Sequence, residues 1–160
     1  MKSFARLMAA AMFLFVGALP SSAWTHVVQG GEAYGGRTVE FLHRVAFFER
    51  NRVKVMLRED CWSSCTFYLK LLRQNLLCAK PGTKMVFHQF FWATDLVSDA
   101  QGNLMSFKVA RVYTGATAAR YWLQYPAAAR SVILRHSPRG LPPPGKELFI
   151  PAKAFGVPEC

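Results

Sequence analysis

Cys61-Trp62-Ser63-Ser64-Cys65-Thr66-Phe67-Tyr68-Leu69-Lys70, continued to Lys84-Met85-Val86-Phe87-His88, is the stretch on which the fold reading turns. Between them, Cys61 and His88 enclose three of the four cysteines, two adjacent serines and a histidine closing an apolar run. A hydroxyl and an imidazole are the raw material of a nucleophile and its base, provided the fold brings them together. Val53-Lys54-Val55-Met56-Leu57 reads as a strand and Arg58-Glu59-Asp60 as a polar turn. Cys61 to Ser64 then reads as a tight connection, and Cys65 to Arg73 as a strongly apolar helix. Leu76-Leu77-Cys78-Ala79 and Lys84 to His88 read as two further strands separated by a Pro81-Gly82 turn.

Upstream, Trp24 to Gln29 reads as a strand, followed by a loop carrying Gly30-Gly31 and Gly35-Gly36. A helix follows, with Thr38 as N-cap and Glu40 in its first turn. Phe41, Leu42, Val45 and Phe48 recur at helical spacing, and the helix ends near Asn51. His43 falls beside the outward set, which makes it a surface residue. Strand, helix, strand, helix, strand is the order of an α/β fold with a mostly parallel sheet, flanking helices and right-handed crossovers. Downstream come an aromatic cluster at Phe90-Phe91-Trp92 and a polar loop from Asp95 to Asn103. A helix is expected from about Ser106 to Leu123, and a second from Pro126 to His136. Pro138 to Gly145 is a rigid connector, and Ala152 to Gly156 a last helical turn.

Met1 to Ala23 has the form of a secretory signal peptide. Lys2 and Arg6 precede an apolar run, and Ser21-Ser22-Ala23 puts small residues at the cleavage point. Removing those 23 of the 160 residues leaves 137, one domain from Trp24 to Cys160 with a modest core. The removed segment takes two basic residues with it, so the net charge falls from +11 to +9. No other segment reaches the ~18 apolar residues of a membrane span. The positive surface favours anionic partners, or simply aids solubility. The basic residues are scattered in ones and twos, which argues against nucleic acid. Four cysteines in an exported chain suggest two disulfides, with three connectivities open. Their spacing matches no compact zinc motif, and no metal or cofactor is expected.

Each chemical signal has a plain structural counterpart. Ser63 or Ser64 is equally the N-cap of the helix that follows, His88 a structural histidine, and Gly35-Gly36 an ordinary turn. Their order is more specific. Gly35-Gly36, helix, strand, Cys61-Trp62-Ser63-Ser64-Cys65-Thr66, Cys78, Pro81 and Phe87-His88 together resemble the Clp protease proteolytic-subunit fold of the ClpP/crotonase superfamily. The likeness is to small exported bacterial members with a Cys-x-Ser-Ala-Cys signature. Tyr125-Pro126, Gly140-Leu141, Glu147 and Cys160 fit the same pattern, so the resemblance covers roughly residues 35 to 160.

The resemblance implies Ser63 as nucleophile, His88 as general base, and the N–H groups of Gly36 and Ser64 as an oxyanion hole. Ser64 stands where the signature has a smaller residue. Glu147 would complete a triad in place of an aspartate. In such a fold Cys61 and Cys65 lie at one edge of the sheet and Cys78 at the other. The implied disulfides are therefore Cys61–Cys65 and Cys78–Cys160. The implied activity is a periplasmic or secreted, ATP-independent serine hydrolase acting on peptides or small acyl substrates, as a possible homo-oligomer. The alternative is a catalytically inactive binding module on the same fold.

Overall fold

Alternation of apolar and polar side chains marks one of the short strands. In Lys54–Leu57 (β2), Val55 and Leu57 are buried while Lys54 is exposed. A computed structural model describes residues 25–98 and 104–160. Residues 1–23, expected to be a signal peptide, together with Trp24 and part of the expected polar loop, lie outside the described residues. β1 (Thr25–Val28) pairs parallel with β2, and β2 pairs parallel with β4 (Leu77–Ala79). Between β1 and β2 the chain makes a short 3₁₀ turn at Gly30–Glu32 and the helix α1 (Thr38–Asn51). Phe41, Val45 and Phe48 form its buried face, as their spacing anticipates, and His43 is exposed. The N-cap residue is Arg37 rather than Thr38, with no side-chain cap.

A second sheet holds the candidate chemistry. β3 (Cys61–Trp62) pairs parallel with β5 (Lys84–Phe87), and β5 pairs antiparallel with β8 (Leu148–Pro151). The segment Ser63–Gln74 is a twelve-residue 3₁₀ helix, starting two residues earlier than the helix expected at Cys65. It buries Cys65, Thr66, Phe67, Tyr68, Leu69 and Leu71. Tyr68 packs edge-on to Phe41 at 5.7 Å between ring centroids and stacks with Phe48 at 6.0 Å. α1 and the 3₁₀ helix thus seal a continuous apolar cluster over both sheets.

Three expectations need correction. The strands divide into small sheets, one of them wholly parallel, rather than one mostly parallel sheet. Residues from 106 onward do not begin a helix. β6 (Phe91–Ser98) and β7 (Leu104–Val112) form an antiparallel hairpin, and helix α2 covers only Gly115–Trp122. The polar loop therefore shrinks, because Asp95 to Ser98 belong to β6. Pro126 caps α3 (Ala127–His136), and Ala152–Phe155 forms a 3₁₀ turn.

Disulfides join Cys61 to Cys65 and Cys78 to Cys160, with Cα atoms 5.3 and 5.1 Å apart. They fit an oxidising compartment. Among the described residues, no helix is long and apolar enough to cross a membrane.

Candidate functional site

Trp62 lies level with Val86 in the β3–β5 pair. Ser63 and His88 therefore leave the same end of two hydrogen-bonded parallel strands. Ser63 takes φ 54°, the left-handed region that a side chain adopts only at a cost of about 1–2 kcal/mol. Its surroundings fix that conformation. Thr66 Oγ1 donates to the Ser63 carbonyl, so the buried Tyr125 hydroxyl, 2.7 Å away, donates to Thr66 in turn. The Cys61–Cys65 disulfide spans the same turn. The Ser63 hydroxyl makes no hydrogen bond among the described residues, to His88 or to any other group.

The glycine loop lies against this turn. Gly35 has φ +88°, and a methyl group there would sit 2.7 Å from the Trp62 carbonyl oxygen and 2.9 Å from Ser63 Cβ. Ser64, only 2 % exposed, commits its hydroxyl to the loop. Its Oγ accepts from the Gly36 N–H at 2.8 Å and donates to the Gly36 carbonyl at 2.8 Å. One of the two donors expected for an oxyanion is thus occupied by a neighbouring side chain.

The loop is anchored from below by a half-buried carboxylate that no sequence motif singles out. Glu32 accepts hydrogen bonds from Tyr68 Oη, from Arg44 at 2.6 Å and from His26 Nε2 at 2.9 Å, while its own carbonyl accepts from the Gly35 N–H at 3.1 Å. β1, α1 and the 3₁₀ helix therefore meet on one residue of the loop. Burial opposes ionisation of Glu32, but donation from Tyr68, Arg44 and His26 outweighs it and holds the carboxyl below its ordinary 4.5. Burial, followed by the bond to Glu32, drives the Tyr68 hydroxyl well above its usual range.

A carboxyl with a lowered pKa stabilises the fold fully above its ordinary value, and that contribution fades as pH falls through the lowered one. Glu32→Gln is accordingly expected to lose about 2–3 kcal/mol near neutrality, less than a fully buried pair because Arg44 remains 38 % exposed. In urea unfolding the gap between the two proteins should narrow below pH 4.5. A gap independent of pH would show that the carboxylate charge contributes nothing.

His88 is half-buried. Its Nδ1 lies 2.7 Å from the Gln89 carbonyl oxygen, and its ring tilts against Phe91 at 4.9 Å between centroids. Burial lowers its pKa from 6.5. The Gln89 bond and the charge of Glu147 act in the opposite direction and are outweighed. Glu147 is exposed and, among the described residues, makes no hydrogen bond or ion pair to His88. The strand ends thus bring Ser63 and His88 to one edge, and the loop brings Gly36 to Ser64, while Glu147 reaches the ring through its field alone.

Two hollows flank the edge. One, of about 430 Å³, is lined by Tyr34, Glu59, Asp60 and Trp62. The other, of about 580 Å³, runs from Gln89 and Phe90 past Tyr113, Trp122 and Leu141. Among the described residues, no group of three or more His, Cys, Asp or Glu side chains could hold a metal ion. Comparison with protein-family models, with curated proteins and with solved structures finds no match.

Glu32, Gln89 and the Ser64–Gly36 pair are the site residues that sequence reasoning misses or misplaces. Gln89 acts through its backbone, which leaves no signature. Glu32 carries one faint signal, a lone acid in a glycine loop facing a helix with an arginine.

Proposed function

We propose that this chain is a periplasmic, ATP-independent serine hydrolase of the ClpP/crotonase kind, acting on peptides or small acyl substrates through Ser63 and His88. One observation carries the reading. Ser63 holds a left-handed backbone at the end of β3, beside the strand end that bears His88. Such strain persists only where its surroundings enforce it, and it gathers at functional turns. The hollow that begins at Gln89, the residue after His88, has a largely apolar lining that suits an acyl group or an apolar side chain. The two disulfides accord with export to the periplasm.

In the mechanism, Ser63 Oγ attacks a carbonyl carbon as His88 takes its proton. The new C–O bond forms, the bond to the leaving group breaks, and the leaving group departs with that proton. Water then repeats the sequence to release the acid and restore the serine. Because burial lowers the imidazole pKa, the base is neutral and ready near neutrality.

A fluorophosphonate probe tests the assignment. The oxidised protein is expected to be labelled, Ser63→Ala to lose the label, and His88→Ala to lose most of the rate. Labelling that survives Ser63→Ala would remove the nucleophile.

A second reading, a binding module without catalysis, is favoured by the capture of the Gly36 N–H by Ser64. A folded wild type that never labels would support it. The same capture makes Ser64→Ala informative, since the signature serine Ser63 stays in place. Releasing the Gly36 N–H is expected to speed its amide exchange and to raise Ser63 labelling, at most by the ~10²–10³ that one oxyanion donor supplies. Slower labelling would mean that the hydroxyl serves only to hold the loop in place.

A further inference from the structure

We propose that the backbone carbonyl of Gln89, rather than an acidic side chain, sets the tautomer and pose of the His88 imidazole. The catalytic consequence rests on the Ser63–His88 reading above; the tautomer itself does not.

A carbonyl oxygen can only accept. The 2.7 Å contact between His88 Nδ1 and Gln89 O therefore puts the proton of the neutral ring on Nδ1. Nε2, across the ring, keeps its lone pair, and that is the atom a serine base must use. The acceptor is itself fixed. The Gln89 N–H donates to the Pro142 carbonyl at 2.7 Å, which pins the peptide unit from the connector after α3. Phe91, packed against the ring, limits its rotation.

These contacts perform the duties of the third member of a triad. They choose the tautomer, hold the ring, and present a partial negative charge to the imidazolium that forms when Ser63 gives up its proton. No hydrogen bond is left for Glu147 to make at Nδ1. Its charge acts at a distance and only favours the protonated ring. The proton balance is unchanged from the mechanism above: it moves from Ser63 Oγ to Nε2 and on to the leaving group, while Nδ1 keeps its own.

Glu147→Gln separates the two arrangements. Long-range proton–nitrogen correlation on isotope-labelled histidine, recorded well above the imidazole titration range, is expected to show His88 as the Nδ1–H tautomer in both wild type and variant. The pH profile of probe labelling should keep its plateau within roughly threefold, whereas loss of an orienting triad acid costs ~10⁴. Its acid limb should move to lower pH, because the charge that favours the imidazolium has gone. An Nε2–H tautomer in either protein overturns the proposal, as does a plateau that falls by ~10³ or more. Should the wild type not label at all, the hydrolase reading fails, and the proposal is decided by the tautomer alone.

Discussion

Gly35→Ala is expected to destabilise the protein by about 3–5 kcal/mol and to abolish Ser63 labelling, because two costs fall on one methyl group. The first is conformational. Gly35 sits at φ +88°, and a residue with a Cβ loses roughly 1–2 kcal/mol there. The second is a collision with backbone rather than with a pliant side chain. The new carbon would lie 2.7 Å from Trp62 O and 3.1 Å from Ser64 N. Relief requires the loop to move away from the turn, and that movement breaks the Ser64–Gly36 pair and the bond from Trp62 N–H to Ala33 O. Gly82→Ala is the matched control. Its φ is +84°, with nothing within 4 Å of the added carbon, so it carries the conformational cost alone. Urea unfolding of the two variants should separate them by about 2 kcal/mol or more. Equal losses would show that the loop does not press on the Ser63 turn.

That contact also explains why part of the site is legible in the amino-acid order. The glycine pair, the two serines and His88 stand at spacings that α1 and the 3₁₀ helix convert into neighbours. The spacing survives because each intervening element announces itself: α1 through Phe41, Val45 and Phe48, and β5 through the buried run Met85 to Phe87. The hairpin is illegible for the opposite reason. In β7, Phe107, Lys108, Val109, Ala110 and Arg111 are all exposed, so no buried face imposes a period of two. The alanines between 116 and 119 then draw the expected helix boundary too far toward the N-terminus. Pairing with β6 overrides that local preference, as sheet context often does. β8 escapes for a related reason: only Ile150 of its four residues is buried.

The proposed roles divide in the same way. Side chains able to carry chemistry have names that a reader can find, as Ser63 and His88 do. What tunes them is mostly main chain: the Gly36 amide, the Gln89 carbonyl and the Ser63 carbonyl held by Thr66. Sequence is silent about where a peptide unit points. Glu147 is the converse case. Its place in the order suggests a triad acid, but it lies exposed in the turn preceding β8 and, among the described residues, makes no hydrogen bond to the ring.

Replacing both Cys78 and Cys160 by serine is expected to lower stability by about 4–5 kcal/mol, against about 2 kcal/mol for Cys61 and Cys65 together. The bridges span 82 and 4 positions, and the entropy that a cross-link removes from the unfolded chain grows with the loop it closes. The long bridge also fastens a tail that lends the first sheet a partial edge. The Ala79 N–H donates to Pro158 O at 2.9 Å and the Cys160 N–H to Ala79 O at 3.1 Å, while Val157 is buried in the core. The backbone bonds survive the serine substitutions in the folded state, so most of the loss should appear as a freer unfolded chain. The two pairs should then trade places when labelling is measured. The short bridge brackets Ser63, so its removal is expected to loosen the Ser63 turn and slow the probe. The long bridge lies at the far edge of the first sheet, so its removal leaves labelling of the folded fraction unchanged. A long-bridge variant as stable as wild type, or a short-bridge variant that labels at full rate, would separate the disulfides from the roles that their positions imply.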